Sequence, residues 1–437
     1  MSKPNIVFIT LHDTGRHFHC YGQRTVQSPA IDSIAQDGVR LTNCLCASAK
    51  CTPSRAAMMT GRWPQSNGVI GLSHAPHWWA FNEDEKHLAQ VLFDNGYTTH
   101  LFHHQHEVEH PEEIGFEELH CQAPAHGWNE MPEPYGHIPA PEVGKCFARF
   151  LADRAHDKPF YAQIGFFETH HPLDFNNNTG DDELGVEIPA RYADTPENRN
   201  YFKLLQGLVK QADLGVQRIL RALDDNGIRD NTLLVFTVDH GLSTVRAKDS
   251  CYEPGMEVAM MLRWPGKISP GSELDGLICN IDLFPTLLEL VGIPCDKKVQ
   301  GRSFAPALQS RPWQDREYTY GIFFEESQPR SIRDHRYKLI RNFAPGRCIP
   351  FPIGSPNEPP FLSLPAIEVY DLAEDPDEIN NIAEDAEFAE IRDRLDKQLL
   401  SHMKKVGDPI LDGPVPTPYY LKAMAEWTIL NGGEEYE

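Results

Sequence analysis

The chain has 437 residues, with 40 Lys+Arg against 63 Asp+Glu and a formal net charge of −23. Hydrophobic residues make up 41% and charged residues 24%, a globular composition long enough for about two domains. The acidic balance argues against a nucleic-acid or anionic-membrane surface, both of which recruit basic patches, and no run reaches the ~18 consecutive apolar residues of a membrane helix.

The first element is a buried strand, Asn5 to Thr10, ending in the polar turn His12-Asp13-Thr14-Gly15. The start lacks a charged region followed by an apolar core and a small-residue cleavage site, so a cytoplasmic location is expected. Ala30 to Gln36 has helical spacing and stops at Gly38; Ala56 onward is helical until Gly61. His87 to Asp94 is a helix closed by Asn95-Gly96, a C-cap signal. Tyr97 to Phe102 and the aromatic run Pro159 to Phe167 are strands; the latter opens into Glu168-Thr169-His170-His171-Pro172. Tyr201 to Asp225 is a long amphipathic helix carrying Leu204, Leu208, Leu214 and Ile219. Asn231 to Val238 is a strand running into Asp239-His240-Gly241.

This alternation indicates an α/β fold, a large, mostly parallel sheet sandwiched by helices. After about Ser310 the texture changes. Short strands are expected at 322–324, 331–333, 337–340 and 368–372, with a helix from Asp385 to Lys405 and a loop from Phe343 to Pro365. The division is a first domain of residues 1–310 and a smaller α+β domain, with an antiparallel sheet and helix, of residues 311–437. The 10 Cys are scattered without a C-x-x-C pair, which favours reduced thiols. Metal-type ligands gather where four strands end: His12 and Asp13, His103 to His106, His170 and His171, Asp239 and His240. Ligands of open α/β sheets bind outside the carboxyl ends of the strands.

The sharpest motif is Cys51-Thr52-Pro53-Ser54-Arg55, followed by a helix. A lone cysteine before a helix is most often a buried small hydrophobe. Here a helix N-terminus favours anions and lowers a thiol's pKa, and Arg55 adds a planar fork suited to a tetrahedral oxyanion. These residues suggest a nucleophile facing an anionic ester.

The stretch resembles the C-x-P-x-R signature of the sulfatase family, within the alkaline-phosphatase superfamily. Asn5 to Gly15, Asp230 to Gly241, Ile281 to Leu288, Gln300 to Ser303 and Tyr370 to Pro376 resemble further family segments, in order along nearly the whole chain. The context from Arg55 to Gly71 is most similar to the heparan N-sulfatase (sulfamidase) group. The resemblance implies hydrolysis of sulfate esters or sulfamates, on sugars, with release of inorganic sulfate. It implies oxidation of Cys51 to formylglycine by a formylglycine-generating or radical maturation enzyme. The hydrate of that aldehyde attacks sulfur in line, and collapse of the sulfated intermediate expels sulfate. Asp13, Asp239, His240 and position 51 correspond to ligands of one divalent metal ion. Arg55 orients the nucleophile, Lys248 contacts the sulfate, and His106 and His170 match family histidines, the latter near the leaving group. His171 is the alternative to His170.

Two regions depart from the pattern. The first metal loop reads His12-Asp13 where most members carry two aspartates, and His240 stands where many carry asparagine. If His12 ligates, two imidazoles shift preference from Ca²⁺ toward Mn²⁺, Zn²⁺ or Fe²⁺; otherwise it only hydrogen-bonds the loop. His104 stands where a sulfate-binding lysine is expected, and His106 matches the following histidine. Twelve of the 20 histidines lie at or before position 120. His74, with His77, Trp78 and Trp79, is either part of a sugar-binding rim or an ordinary packed loop. A phosphonate monoester or phosphodiester hydrolase of the same superfamily is the alternative activity, since His at the position of His240 is typical of those relatives. The expected partner is a small anionic sulfated saccharide, not nucleic acid or membrane; a homo-oligomer is left open. With so acidic a chain, a local positive focus has to draw such a substrate in.

Overall fold

A computed structural model describes residues 3–74, 77–122, 138–154, 158–325, 327–344, 346–348 and 362–430. Its centre is an eight-stranded sheet. The strands run, edge to edge, Glu118–His120, Thr98–His103, Phe160–Gly165, Asn5–Leu11, Thr232–Val238, Met260–Arg263, Val39–Leu41 and Ser272–Leu274. The first five are mutually parallel; Met260–Arg263 is antiparallel to both its neighbours. The central strands Asn5–Leu11 and Thr232–Val238 are buried along their whole length, which is why they read as continuous apolar runs rather than alternating ones.

Helices flank this sheet. Pro196–Asp225 packs along Ala140–Asp153 and Pro29–Gln36. No described helix is long and apolar enough to cross a membrane. The chain is thus an α/β protein with a large, mostly parallel sheet and a smaller antiparallel one.

The smaller sheet has the order Thr319–Ile322, Pro329–Arg333, Tyr337–Asn342, Ile367–Asp371 and is wholly antiparallel. Helix Ala389–Val406 covers it, placing Leu395, Leu399 and Met403 against Ile332, Leu339 and Val369. Two buried ion-pair sets fasten this sheet to neighbouring segments. Arg330 grips Asp408 with Nε and Nη2, at 2.6 and 3.0 Å. Lys338 Nζ reaches Glu253 and Glu378, at 2.9 and 3.0 Å.

Several boundaries differ from the sequence reading. The helix expected from Ala56 begins at Cys51 itself, because Pro53 in the first turn fits a helix start rather than opposing it. The strand expected at 322–324 ends at Ile322. Phe323 packs beside Tyr252 and Tyr370, and Phe324 beside Ile70 and Trp79. The helix expected from Asp385 begins at Ala389, after a 3₁₀ turn at Ala386–Phe388. Most of the loop read from Phe343 to Pro365 lies outside the described residues. Its two described pieces, Gly346–Cys348 and Leu362–Leu364, pair as antiparallel strands. Cys20, Cys44, Cys46, Cys51, Cys121, Cys146, Cys251, Cys279 and Cys295 form no disulfides.

Candidate active site

The four strands that end in metal-type ligands are consecutive in the sheet. Thr98–His103, Phe160–Gly165, Asn5–Leu11 and Thr232–Val238 lie side by side, and their last residues are in register: His103 with Gly165, Thr10 with Gly165 and Thr237, Leu11 with Val238. Strands about 4.8 Å apart with flush ends deliver their next residues to one place. Gly165 permits this convergence. A Cβ there would lie 1.8 Å from the His104 carbonyl oxygen, so the histidine loop crosses the strand end only over a bare backbone.

Beyond Leu11 the chain turns sharply, with Asp13 at φ 45° and Gly15 at φ 55°. Asp13 N–H donates to Asp239 Oδ1 at 3.1 Å, and His240 N–H donates to the same oxygen at 2.8 Å. Gly15 N–H donates to the His240 carbonyl at 3.1 Å. The two acidic loops therefore hold each other through their backbones. Thr14 and Thr169, not singled out from sequence, join the loop after Phe160–Gly165 to this pair: their hydroxyls meet at 2.8 Å, and both reach the His12 carbonyl.

Cys51 is the first residue of its helix and is buried, with Sγ 3.3 Å from His240 Nε2. Ser54, one turn on, donates to the Asp239 carbonyl and accepts from Asn280 Nδ2 at 2.9 Å. Asn280, also missed in the sequence, ties this helix to the segment leading into Leu283–Leu290. Arg55 is fully buried. Nε donates to Asp239 Oδ2 at 3.1 Å, Nη1 to Thr10 Oγ1 at 3.3 Å and Nη2 to the Leu11 carbonyl at 3.1 Å. The fork expected to face an oxyanion is aimed at a carboxylate and a strand end. Lys248 supplies the second cation, with Nζ 3.0 and 2.8 Å from the two Asp13 oxygens.

Two buried carboxylates are thus matched by two buried cations. Burial alone would raise the Asp13 carboxyl, but Lys248, His170 and His240 hold it well below the usual range. Burial opposes ionisation of Asp239 too, and His240, Arg55 and Lys248 overcome it. Burial likewise opposes the charge on Lys248, yet Asp13 and Cys51 keep its ammonium well above the ordinary value. The thiol behaves otherwise than the helix N-terminus suggests. Burial pushes Cys51 up to about 12 against the pull of Lys248, so the unmodified side chain is a neutral thiol at pH 7, not a nucleophilic thiolate.

His12 is fully buried, and neither ring nitrogen makes a hydrogen bond. Its Nδ1 lies 2.9 Å from Asp239 Oδ2 without hydrogen-bond geometry. Ligand atoms of His12, Asp13, Cys51 and Asp239 all lie within 4.8 Å of one another. His240 directs Nε2 at Asp13 Oδ1, 3.2 Å away, while Nδ1 lies 3.0 Å from the Gly241 carbonyl. That contact places the ring proton on Nδ1 and the lone pair toward the cluster. Carboxylates with imidazole nitrogens are a donor set that fits a divalent cation, and the imidazoles favour a transition metal. Of the two readings of His12, the buried and unbonded ring favours the ligand.

The remaining histidines form a wall over this centre. The His12 ring centroid lies 5.0 Å from His104, 5.9 Å from His106 and 5.1 Å from His170. His74 stacks on His106, 5.3 Å away and 7° from parallel. His170 Nδ1 contacts the His171 carbonyl at 2.6 Å; burial and Lys248 push its imidazole down to about 4. His171 itself is half-buried at the margin. His77 and Trp79 pack on Phe324, at 6.4 and 5.1 Å, so that part of the segment is a packed loop while His74 reaches the cluster. Glu107, which no motif singles out, is fully buried and accepts from His106 N–H at 3.0 Å. Burial raises its carboxyl to about 7 despite Arg55.

Residues 4–293 match the sulfatase family model, and residues 240–348 match that of the N-sulphoglucosamine sulphohydrolase C-terminal region. An ulvan-active sulfatase of Formosa agariphila is 29% identical over 95% of this chain and 83% of its own length. Among solved structures, one in complex with its substrate D-glucosamine-2-N,6-O-disulfate has a TM-score of 0.72 at 21% identity, covering 94% of this chain and 99% of that one. The phosphonate monoester hydrolase of Agrobacterium radiobacter has a TM-score of 0.74 at 20% identity, covering 92% and 96%.

Proposed function

Because the chain belongs to the sulfatase family, we propose that it hydrolyses a sulfate ester or sulfamate on a small anionic saccharide and releases inorganic sulfate. The observation that carries this reading is the placement of Cys51. It begins a helix whose first turn faces two carboxylates, two cations and His240 in one buried centre. Formylglycine made from Cys51 by a maturation enzyme would supply an aldehyde whose hydrate serves as nucleophile and whose sulfated form can collapse. His12, Asp13, Asp239 and His240 would hold one divalent ion, which supplies Lewis-acid charge next to position 51.

The chain's own side chains divide the remaining work. Arg55 is a positioning residue that fixes Asp239. Lys248 presents an ammonium between Asp13 and the nucleophile, where it neutralises a bound oxyanion. His104, His106 and His74 line the approach, and His170, with His171 beside it, stands on the leaving-group side as the general acid, a role that needs the charge of a bound oxyanion to hold its imidazole protonated. The match of residues 240–348 to the sulphoglucosamine sulphohydrolase C-terminal model supports an amino-sugar substrate and sulfamate cleavage within this class. The test is release of inorganic sulfate from N-sulfated and O-sulfated glucosamine, with mass spectrometry of the peptide spanning Cys51. Unconverted thiol in active protein from the native host would contradict the mechanism.

A specific observation favours a second reading. His240, 3.3 Å from Cys51 Sγ, is the residue type found there in phosphonate monoester and phosphodiester hydrolases of this superfamily. Parallel assays on an aryl sulfate and an aryl phosphonate monoester separate the two, and a higher kcat/KM on the phosphonate would replace the sulfatase reading.

A further inference from the structure

A second cluster lies in the body of the sheet, before the strand exits. His100, on Thr98–His103, stands in register with Glu118 on the edge strand Glu118–His120, and Phe102 with His120. Side chains two apart share a face of a strand, so His100, Glu118 and His120 project from the same side. Three of their atoms form a nearly equilateral triangle. His100 Nδ1 is 3.2 Å from His120 Nε2, and each is 3.4 Å from Glu118 Oε2. A tetrahedral zinc ion with bonds of about 2.0–2.1 Å has ligand–ligand edges of about 3.3–3.4 Å.

The surroundings suit a held ligand set. His100 Nε2 lies 3.0 Å from Thr98 Oγ1, a hydroxyl that can accept the Nε2 proton when the Nδ1 lone pair is turned to an ion in the triangle. The His120 ring stacks on Phe102 at 4.4 Å, and the His100 ring lies 4.5 Å from Phe150, which fixes both ring planes. The three residues open onto a surface cavity that Arg149, Arg154 and Lys158, with one further carboxylate in Asp153, also line.

We propose that His100, Glu118 and His120 form a second metal site, for a zinc-type divalent ion, with its fourth position open to water or a small anion from this cationic cavity. The site is independent of the chemistry at Cys51, so the inference stands or falls apart from the proposed hydrolase activity. Bound metal would also clip the three-residue edge strand to its neighbour.

The test is Co²⁺ titration of metal-stripped full-length protein, followed by visible absorption and by metal content after desalting. Wild type should bind one equivalent more than His120→Ala, and the lost equivalent should carry the intense absorption of tetrahedral Co²⁺. Glu118→Gln, altered at a side chain 60% exposed, keeps the fold. It should weaken that equivalent at least tenfold, since even outer partners of metal ligands cost 10- to 100-fold in affinity. Hydrolytic turnover of both variants should stay within about twofold of wild type. Equal Co²⁺ stoichiometry and spectra in wild type and both variants would overturn the site and leave a hydrogen-bonded surface cluster.

Discussion

Arg55 and Asp239 form a fully buried ion pair, with Nε 3.1 Å from Oδ2 and neither side chain exposed. The pair links the first turn of the Cys51 helix to the exit of Thr232–Val238. Removing one partner of such a pair leaves an uncompensated charge and costs about 3–5 kcal/mol. Arg55→Ala should therefore lower stability by about that amount as well as activity, measured by urea unfolding beside turnover. Arg55→Lys should restore little of either, because one ammonium cannot reach Asp239, Thr10 and Leu11 together.

Lys248 should matter through its charge. Lys248→Ala is expected to lower kcat/KM at least about 100-fold, the scale for losing a group that stabilises developing charge. Neutralising the exposed Glu113 and Glu197 to Gln should change it less than about twofold at physiological ionic strength, where distant surface charges are screened. Comparable effects from both sets would argue against a local positive focus drawing the proposed anionic substrate to a chain of charge −23.

His240 is the residue on which the two candidate activities divide. His240→Asn should raise the ratio of sulfatase to phosphonate hydrolase kcat/KM at least about tenfold, about 1.4 kcal/mol in differential transition-state stabilisation. An unchanged ratio would locate the discrimination elsewhere, with His104 the next residue to vary.

Chelation offers a separate check on the donor set. Stripped protein should lose turnover and regain it better with Mn²⁺ or Zn²⁺ than with Ca²⁺, since the proposed ligands His12 and His240 would contribute imidazole nitrogens. His12→Asp should shift that order toward Ca²⁺. Better recovery with Ca²⁺ in the wild type would place His12 outside the ligand set.

A pH prediction rests on a pair distant from the chemistry. Asp408 is buried against Arg330; burial alone would raise its carboxyl, but the Arg330 hydrogen bonds hold it below its ordinary value of 3.8. A carboxyl depressed in the folded state contributes stability that is complete above its unfolded pKa and fades as the pH falls through the folded value. Asp408→Asn should thus be less stable than wild type by about 3 kcal/mol at pH 7. The gap should begin to narrow only as the pH falls below about 4, read from urea midpoints across pH 3–7.

What the sequence disclosed depended on whether the signal was local. Asn5–Leu11 and Thr232–Val238 announce themselves by unbroken apolar runs, and Asp13, Cys51 and Asp239 by short motifs. The edge strands Glu118–His120 and Ser272–Leu274, and Val39–Leu41 beside the latter, are three residues long, too short for any period to register, and they form by pairing with neighbours. The helix Pro418–Leu430 went unread because its apolar residues follow no one-sided stripe. Glu107, Thr169 and Asn280 carry no spacing signature at all; their importance comes from what lies across the fold. The raised Cys51 thiol is similar, since helix position is legible in sequence whereas desolvation is a property of the assembled interior.

The flush strand ends also make the active centre a gauge of strand alignment. The same backbone ladder that pairs Leu11 with Val238 and His103 with Gly165 spaces the groups just beyond them. A slip of one residue would move a loop by about 3.3 Å and turn its side chains to the opposite face. Asp13 and Asp239 would then lose their shared hydrogen bonds, and Arg55 its carboxylate. Hydrolytic activity should accordingly vanish in molecules whose strands are misaligned, even where their helix content and compactness remain native-like.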